Sequence, residues 1–148
     1  MAMTMNGEVQ LAAPREAVWA KLNDPEVLKV CIPGCEELEK TEDNGFRAVA
    51  KMKVGPVSAR FKGKVMLSDL DPPNGYKISG EGEGGVAGFA KGGATVALAE
   101  KDGGTLLSYN VEAQIGGKLA QLGQRLINGA AKKLADEFFA NFAKAVQG

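Results

Sequence analysis

The chain has 148 residues, which suits one domain with a full core and leaves little room for two. Eighteen basic and eighteen acidic residues cancel, and this argues against nucleic acid, whose binding is dominated by neutralising phosphates. There is no histidine, so every Ser-His-Asp, Cys-His and histidine–metal mechanism is excluded at once.

The opening residues, MAMTMNGEVQL, lack the charged and apolar regions of a secretory signal. No stretch approaches the apolar length that spans a bilayer, and a cytoplasmic domain is expected. Residues 7–12 predict a short strand with Val9 and Leu11 on one face. Pro14 suits the first position of a helix, and Val18, Trp19 and Leu22 follow at helical spacing. Asp24-Pro25-Glu26 starts a second short helix: Asp24 caps, Pro25 pre-sets φ and Glu26 suits the dipole. Pro33-Gly34 ends it.

Strands fill the next eighty residues. Phe46, Ala48, Ala50, Met52 and Val54 alternate with Arg47, Lys51 and Lys53. After the Gly55-Pro56 turn, Val57, Ala59, Phe61, Gly63, Val65 and Leu67 alternate with Ser58, Arg60, Lys62 and Lys64. A period of two predicts a sheet with one wet face and one covered face. Tyr76 and Ile78, then Ala94, Val96 and Leu98, then Leu107 to Ile115 continue it, while Gly80 to Gly93 is hard to phase. From Lys118 the period becomes helical through Leu119, Leu122, Leu126, Leu134, Phe138 and Phe142. One unbroken helix of roughly 28 residues, about 42 Å, is expected. The fold class is α+β: a curved antiparallel sheet of about seven strands wrapped around a long C-terminal helix, with two short helices after the first strand.

Twenty glycines and twenty-one alanines stand against nine aromatics. The inward set includes Ala48, Ala50, Ala59, Gly63, Gly80, Ala94 and Ala113, and the helix adds Gly123, Gly129, Ala130 and Ala131. Small residues either let the helix lie close to the sheet or leave an apolar hollow. Few aromatics are available to fill the concave face, so a hollow is expected.

Several motifs have bland and sharp readings. Gly80-Glu81-Gly82-Glu83-Gly84-Gly85 matches a dinucleotide fingerprint, but Val86 to Leu98 reads as more strand where a helix is required. A glycine-kinked strand is the better reading. Cys31 and Cys35 lack metal-ligand spacing; two buried thiols are favoured over a redox pair. Glu36-Glu37-Leu38-Glu39 reads as a solvated face rather than a cation site. Trp19 reads as a helix-to-sheet anchor. Tyr109 reads equally as a bond to a ligand's polar head or to a partner within the protein. Phe138 and Phe142 continue the buried stripe, while Phe139, one step round, is the aromatic best placed to be exposed.

Four segments carry a family resemblance: Asp24-Pro25-Glu26-Val27-Leu28 with Cys31-Ile32-Pro33-Gly34-Cys35-Glu36; Val54-Gly55-Pro56-Val57; Ala59-Arg60-Phe61-Lys62-Gly63; and Ala120 to Ile127. Together they resemble the CoxG family of carbon monoxide dehydrogenase subunits from about Met5 onward. The resemblance implies a helix-grip fold of the START and birch-allergen type, whose members hold apolar ligands under the long helix. It also implies an accessory of a molybdenum hydroxylase such as aerobic CO dehydrogenase, associated with the cytoplasmic membrane. Longer relatives add an apolar C-terminal anchor, which this sequence, ending Gln147-Gly148, does not show, so the membrane contact expected of it is peripheral.

The expectation is therefore a single non-catalytic domain over residues 1–148, with no metal, no tightly required cofactor and no catalytic residue. Its partners would be a hydrophobic small molecule, a quinone or isoprenoid lipid, and a CO dehydrogenase-like complex, with peripheral membrane contact. The expected cavity wall is Phe46, Met52, Phe61, Tyr109, Leu122 and Leu126. An enzyme of the cyclase or hydratase type would have to use Arg60, Glu81 and Tyr109. A ligand-free assembly module is the third reading.

Overall fold

The computed structural model describes residues 1–41 and 44–147. Strand β1 (Ala2–Leu11) is followed by helices α1 (Arg15–Leu22) and α2 (Pro25–Cys31). Six strands then run consecutively: β2 (Cys35–Lys40), β3 (Gly45–Val54), β4 (Val57–Asp71), β5 (Gly75–Glu83), β6 (Phe89–Lys101) and β7 (Gly104–Gly116). Helices α3 (Lys118–Gln121) and α4 (Gln124–Gln147) complete the order. The seven strands form one antiparallel sheet in the order β1-β7-β6-β5-β4-β3-β2.

Local chemistry places most boundaries. The Asp24 carboxylate accepts the N–H of Glu26 at 3.0 Å, and Pro25 occupies the first turn of α2. Asp102 and Gly103 turn the β6–β7 hairpin with φ of 50° and 78°, the left-handed pair that a two-residue hairpin favours. β1 is longer than the six residues expected, because Met3 and Met5 extend the inward parity of Val9 and Leu11 back to Ala2.

Two further expectations are corrected. The C-terminal helix is broken: Gly123 has a φ of 93°, which ends α3 and restarts the chain as α4, 24 residues and about 36 Å long. The segment from Val86 does not continue as strand. Gly85–Ala87 makes one tight turn and β6 begins only at Phe89. The glycine-rich stretch thus contains a corner, and no helix follows the fingerprint match.

Register brings the inward residues into rows. Val65, Gly80, Gly92, Ala113 and Met3 lie side by side across five strands. A side chain on Gly92 would drive its Cβ into the Glu112 carbonyl oxygen, so glycine there lets the neighbouring backbones approach closely. α4 lies over the concave face and is gripped at both ends. Toward its C-terminus, Phe142 packs with Leu11, Val18, Leu22, Leu98 and Leu107. Toward its N-terminus, Ile127 packs with Met3, Ile115 and Leu119. The single-domain expectation covered Gly148, which lies outside the described residues.

Candidate functional site

Between the two clusters the middle of α4 spans a cavity of about 490 Å³. Ala48, Ala94, Val65 and Ile78 form its floor, and Ala131, Leu134, Ala135 and Phe138 its roof. Leu28 of α2 and Ile32-Pro33 of the following loop close one side. The walls are almost entirely hydrocarbon, and the titratable side chains among them are Tyr76 and Tyr109.

Their hydroxyls differ in setting. Tyr76 is buried and meets the Trp19 ring edge-on at 5.3 Å. Burial pushes its phenol well above the ordinary range, so it stays neutral. Tyr109 stacks on Phe139 at 5.2 Å and sits opposite Gly7 of β1. A Cβ on Gly7 would lie 2.5 Å from the Tyr109 hydroxyl oxygen, so the missing side chain makes room for that hydroxyl. The hydroxyl is thereby carried toward a second cleft between β1 and α4, whose lining includes Lys132 and Asp136.

The six residues expected at the wall divide evenly. Phe46, Met52 and Tyr109 line the cavity; Phe61, Leu122 and Leu126 do not. Phe61 packs with the Met3–Ile127 cluster and covers Gly84. Leu122 sits at the break before α4, also against that cluster. Leu126, 39% exposed, packs on Gly55 at the β3–β4 turn. For Leu122 and Leu126 the Gly123 break interrupts the helical stripe ahead of α4. Phe139, expected to be the exposed aromatic, is half-buried against Tyr109 and Phe138. Missed entirely were Leu28, Ile32, Pro33 and Leu38. The i, i+4 spacing of Leu28 and Ile32 was the signal that α2 presents an apolar face.

The candidate acid–base groups do not gather there. Arg60 is held on the outer face by Glu36 through two contacts of 2.6 and 3.2 Å. The Arg60 guanidinium keeps the Glu36 carboxyl below its ordinary range. Glu81 lies between Lys64 and Lys91 on the same convex side. Cys31 and Cys35 are free thiols, and burial raises both; for Cys35 the nearby Lys29 partly opposes the rise. Among the described residues no group of three or more His, Cys, Asp or Glu side chains is placed to hold a metal ion. No helix of the described residues is long and apolar enough to cross a membrane.

A curved sheet gripping one long helix, with an apolar hollow between them, defines a helix-grip domain. Solved structures share that architecture. A conserved protein from Geobacillus kaustophilus superposes with a TM-score of 0.92 at 34% identity, covering 98% of this chain and 95% of the other. The ZhuI aromatase/cyclase from Streptomyces sp. R1128 gives 0.71 at 14% identity, covering 99% and 94%. Ara h 8.0201 gives 0.68 at 16% identity, covering 99% of each chain. The chain belongs to the CoxG family of carbon monoxide dehydrogenase subunits, whose sequence model matches residues 7–147. No curated protein matches the sequence.

Proposed function

We propose that this domain is a non-catalytic carrier that holds a hydrophobic molecule, a quinone or isoprenoid lipid, in the cavity beneath α4. It serves a molybdenum hydroxylase of the CO dehydrogenase type and links that enzyme to the membrane. The observation that carries the reading is the hollow itself. A rigid void of about 490 Å³, at roughly 24 cal/mol per Å³, would cost about 12 kcal/mol. That rivals the whole stability of a domain, about 5–15 kcal/mol. The figure is an upper limit for a hollow that adjoins surface clefts. Water finds few hydrogen-bond partners on hydrocarbon walls, so an apolar guest is the natural occupant, and the volume lies inside the usual range for ligand pockets. Family membership supports the partner class.

The chain carries its own reporter. Trp19 is the sole tryptophan and touches Tyr76, which lines the cavity. Titration with decylubiquinone is expected to quench Trp19 fluorescence saturably, and mass spectrometry of an organic extract should find a co-purifying apolar molecule. Tyr109→Phe is expected to change the quinone affinity by less than about threefold, since its hydroxyl is carried toward the outer cleft; a net hydrogen bond is worth only ~1 kcal/mol. An unquenched, ligand-free protein would remove the carrier reading. A catalytic role for Tyr109 would appear instead as turnover abolished in the phenylalanine variant.

A further inference from the structure

Antiparallel order puts three connections at one end of the sheet: the β3–β4 turn, the β5–β6 corner and the link from β7 to α3. The first turn of α4 joins them, since Leu126 lies on Gly55. This end carries an uneven share of apolar surface. Among the described residues five large apolar side chains are exposed, and three of them, Val86, Phe89 and Leu126, are here. Leu70 stands at the opposite end, beside the β4–β5 turn, and Val30 on α2. Val86 is 83% exposed while its neighbour Ala87 is buried, so the corner is anchored and its valine projects. Exposed apolar residues that serve no contact are ordinarily scattered singly.

Cations surround the three. Lys53 precedes the β3–β4 turn, Lys118 opens α3 and Arg125 precedes Leu126. Lys62 lies opposite Glu83, and Phe89 is next in the same row on the convex face. All four basic side chains are exposed, and none belongs to an ion pair among the described residues. Glu83 is the carboxylate that faces them; Glu81, one rung further, already stands between Lys64 and Lys91. Four positive charges thus meet one negative in a chain of zero net charge.

We infer that this end of the domain docks on an anionic bilayer surface, with Val86, Phe89 and Leu126 entering the headgroup layer and the four cations facing lipid phosphates. An apolar centre ringed by basic side chains is the pattern of interfacial membrane binding. A protein partner fits less well, because lysine, which supplies three of the four cations, is depleted at protein–protein interfaces. The inference rests on the membrane-linking part of the proposed function and assigns it a face. The cleft between α4 and the end of β3 is lined at this end by Gly55, Arg125 and Leu126, and shares Pro33, Met52 and Leu134 with the cavity. Docking therefore brings that cleft to the bilayer.

The test sediments the full chain with vesicles of phosphatidylcholine alone and of equal parts phosphatidylcholine and phosphatidylglycerol. Quenching of Trp19 by decylubiquinone is measured alongside, without vesicles. Partitioning is expected to be roughly tenfold stronger on the anionic vesicles, and the preference to shrink in ~0.5 M NaCl as screening shortens the field. Val86→Asp, at a site open enough to leave the fold intact, is expected to weaken anionic binding roughly tenfold through the lost apolar contact. Lys53→Gln with Lys118→Gln should weaken it by about tenfold or more, since each cation near the surface contributes. Leu70→Asp, at the opposite end, should bind as the wild type does. Equal partitioning on both vesicle types, or none on either, would overturn the inference, and a saturable decylubiquinone quench in the same protein would leave the carrier reading standing. A loss in Leu70→Asp as large as in Val86→Asp would show that no particular end docks, and overturn it too. Anionic binding that Val86→Asp leaves unchanged would mean charge attraction without insertion, contrary to the inference. Should vesicles bind as expected while decylubiquinone leaves Trp19 unquenched, the docking end stands and the carrier reading falls.

Discussion

Phe142→Ala is expected to lower folding stability by about 3–5 kcal/mol, the range for deleting a fully buried phenylalanine. Phe142 is 0% exposed and belongs to the cluster that clamps the C-terminal end of α4. It stacks on Phe138 at 5.8 Å, and Phe138 in turn lines the cavity. Nearby, the Asn141 side-chain amide donates to the Cys31 carbonyl at 3.1 Å and ties the same stretch of helix to the end of α2. The truncation therefore leaves a void and loosens the joint that keeps α4 over the sheet. Urea denaturation should show the midpoint falling by about 2 M for a slope of 1–3 kcal/mol per molar. A loss below ~1 kcal/mol would mean that α4 is held mainly at its other end.

Filling the hollow should separate stability from function. Ala94 sits in register between Ile78 and Val111, and all three line the cavity. Ala94→Phe directs a ring into that space. Removing even a fifth of the void returns about 2 kcal/mol at the rate used above, against ~1–3 kcal/mol for strain where the fit is poor. The melting temperature is expected to hold or rise. Affinity for an apolar ligand should fall roughly 30- to 100-fold, since a displaced tail forfeits ~2–3 kcal/mol of contact. Calorimetry of the apo variant together with ligand titration checks both halves. A variant that binds as the wild type does would place the ligand elsewhere. Ala48→Leu, on the same floor in β3, repeats the test with a smaller change.

Much of the fold was legible because strand parity is a strict signal. Alternation through β3 and β4 put Phe46 and Met52 on the concave side, and the register Phe46–Val65, Ala48–Gly63 and Met52–Ala59 agrees. Parity fixes a face, however, and says nothing about position along it. Phe61 obeys the same alternation as Ala48 yet falls beside the lower cluster, beyond the hollow. Ala50, Ala59, Gly63, Gly80 and Ala113 face inward too, but they border other packing; of the small strand residues only Ala48 and Ala94 reach the cavity. The helical stripe was misplaced for a different reason. One glycine with positive φ divides it, and a 3.6-residue period continued through that point assigns Leu122 and Leu126 to the wrong neighbours. The contribution of α2 was hidden because only tertiary packing carries Leu28 and Ile32 over the edge of the sheet. Their apolar spacing shows a covered face without naming what covers it.

The premature end of β2 has a mechanical consequence. With no strand beside the outer edge of β3 past Ala50, the proposed guest would pass the Pro33 ring by rotating Met52 and Leu134, which line both the cavity and the cleft between α4 and the end of β3. No rung of the ladder need break, and the cooperative structure stays whole during exchange. Loading and release of the proposed guest would then proceed at the pace of side-chain rearrangement rather than of partial unfolding.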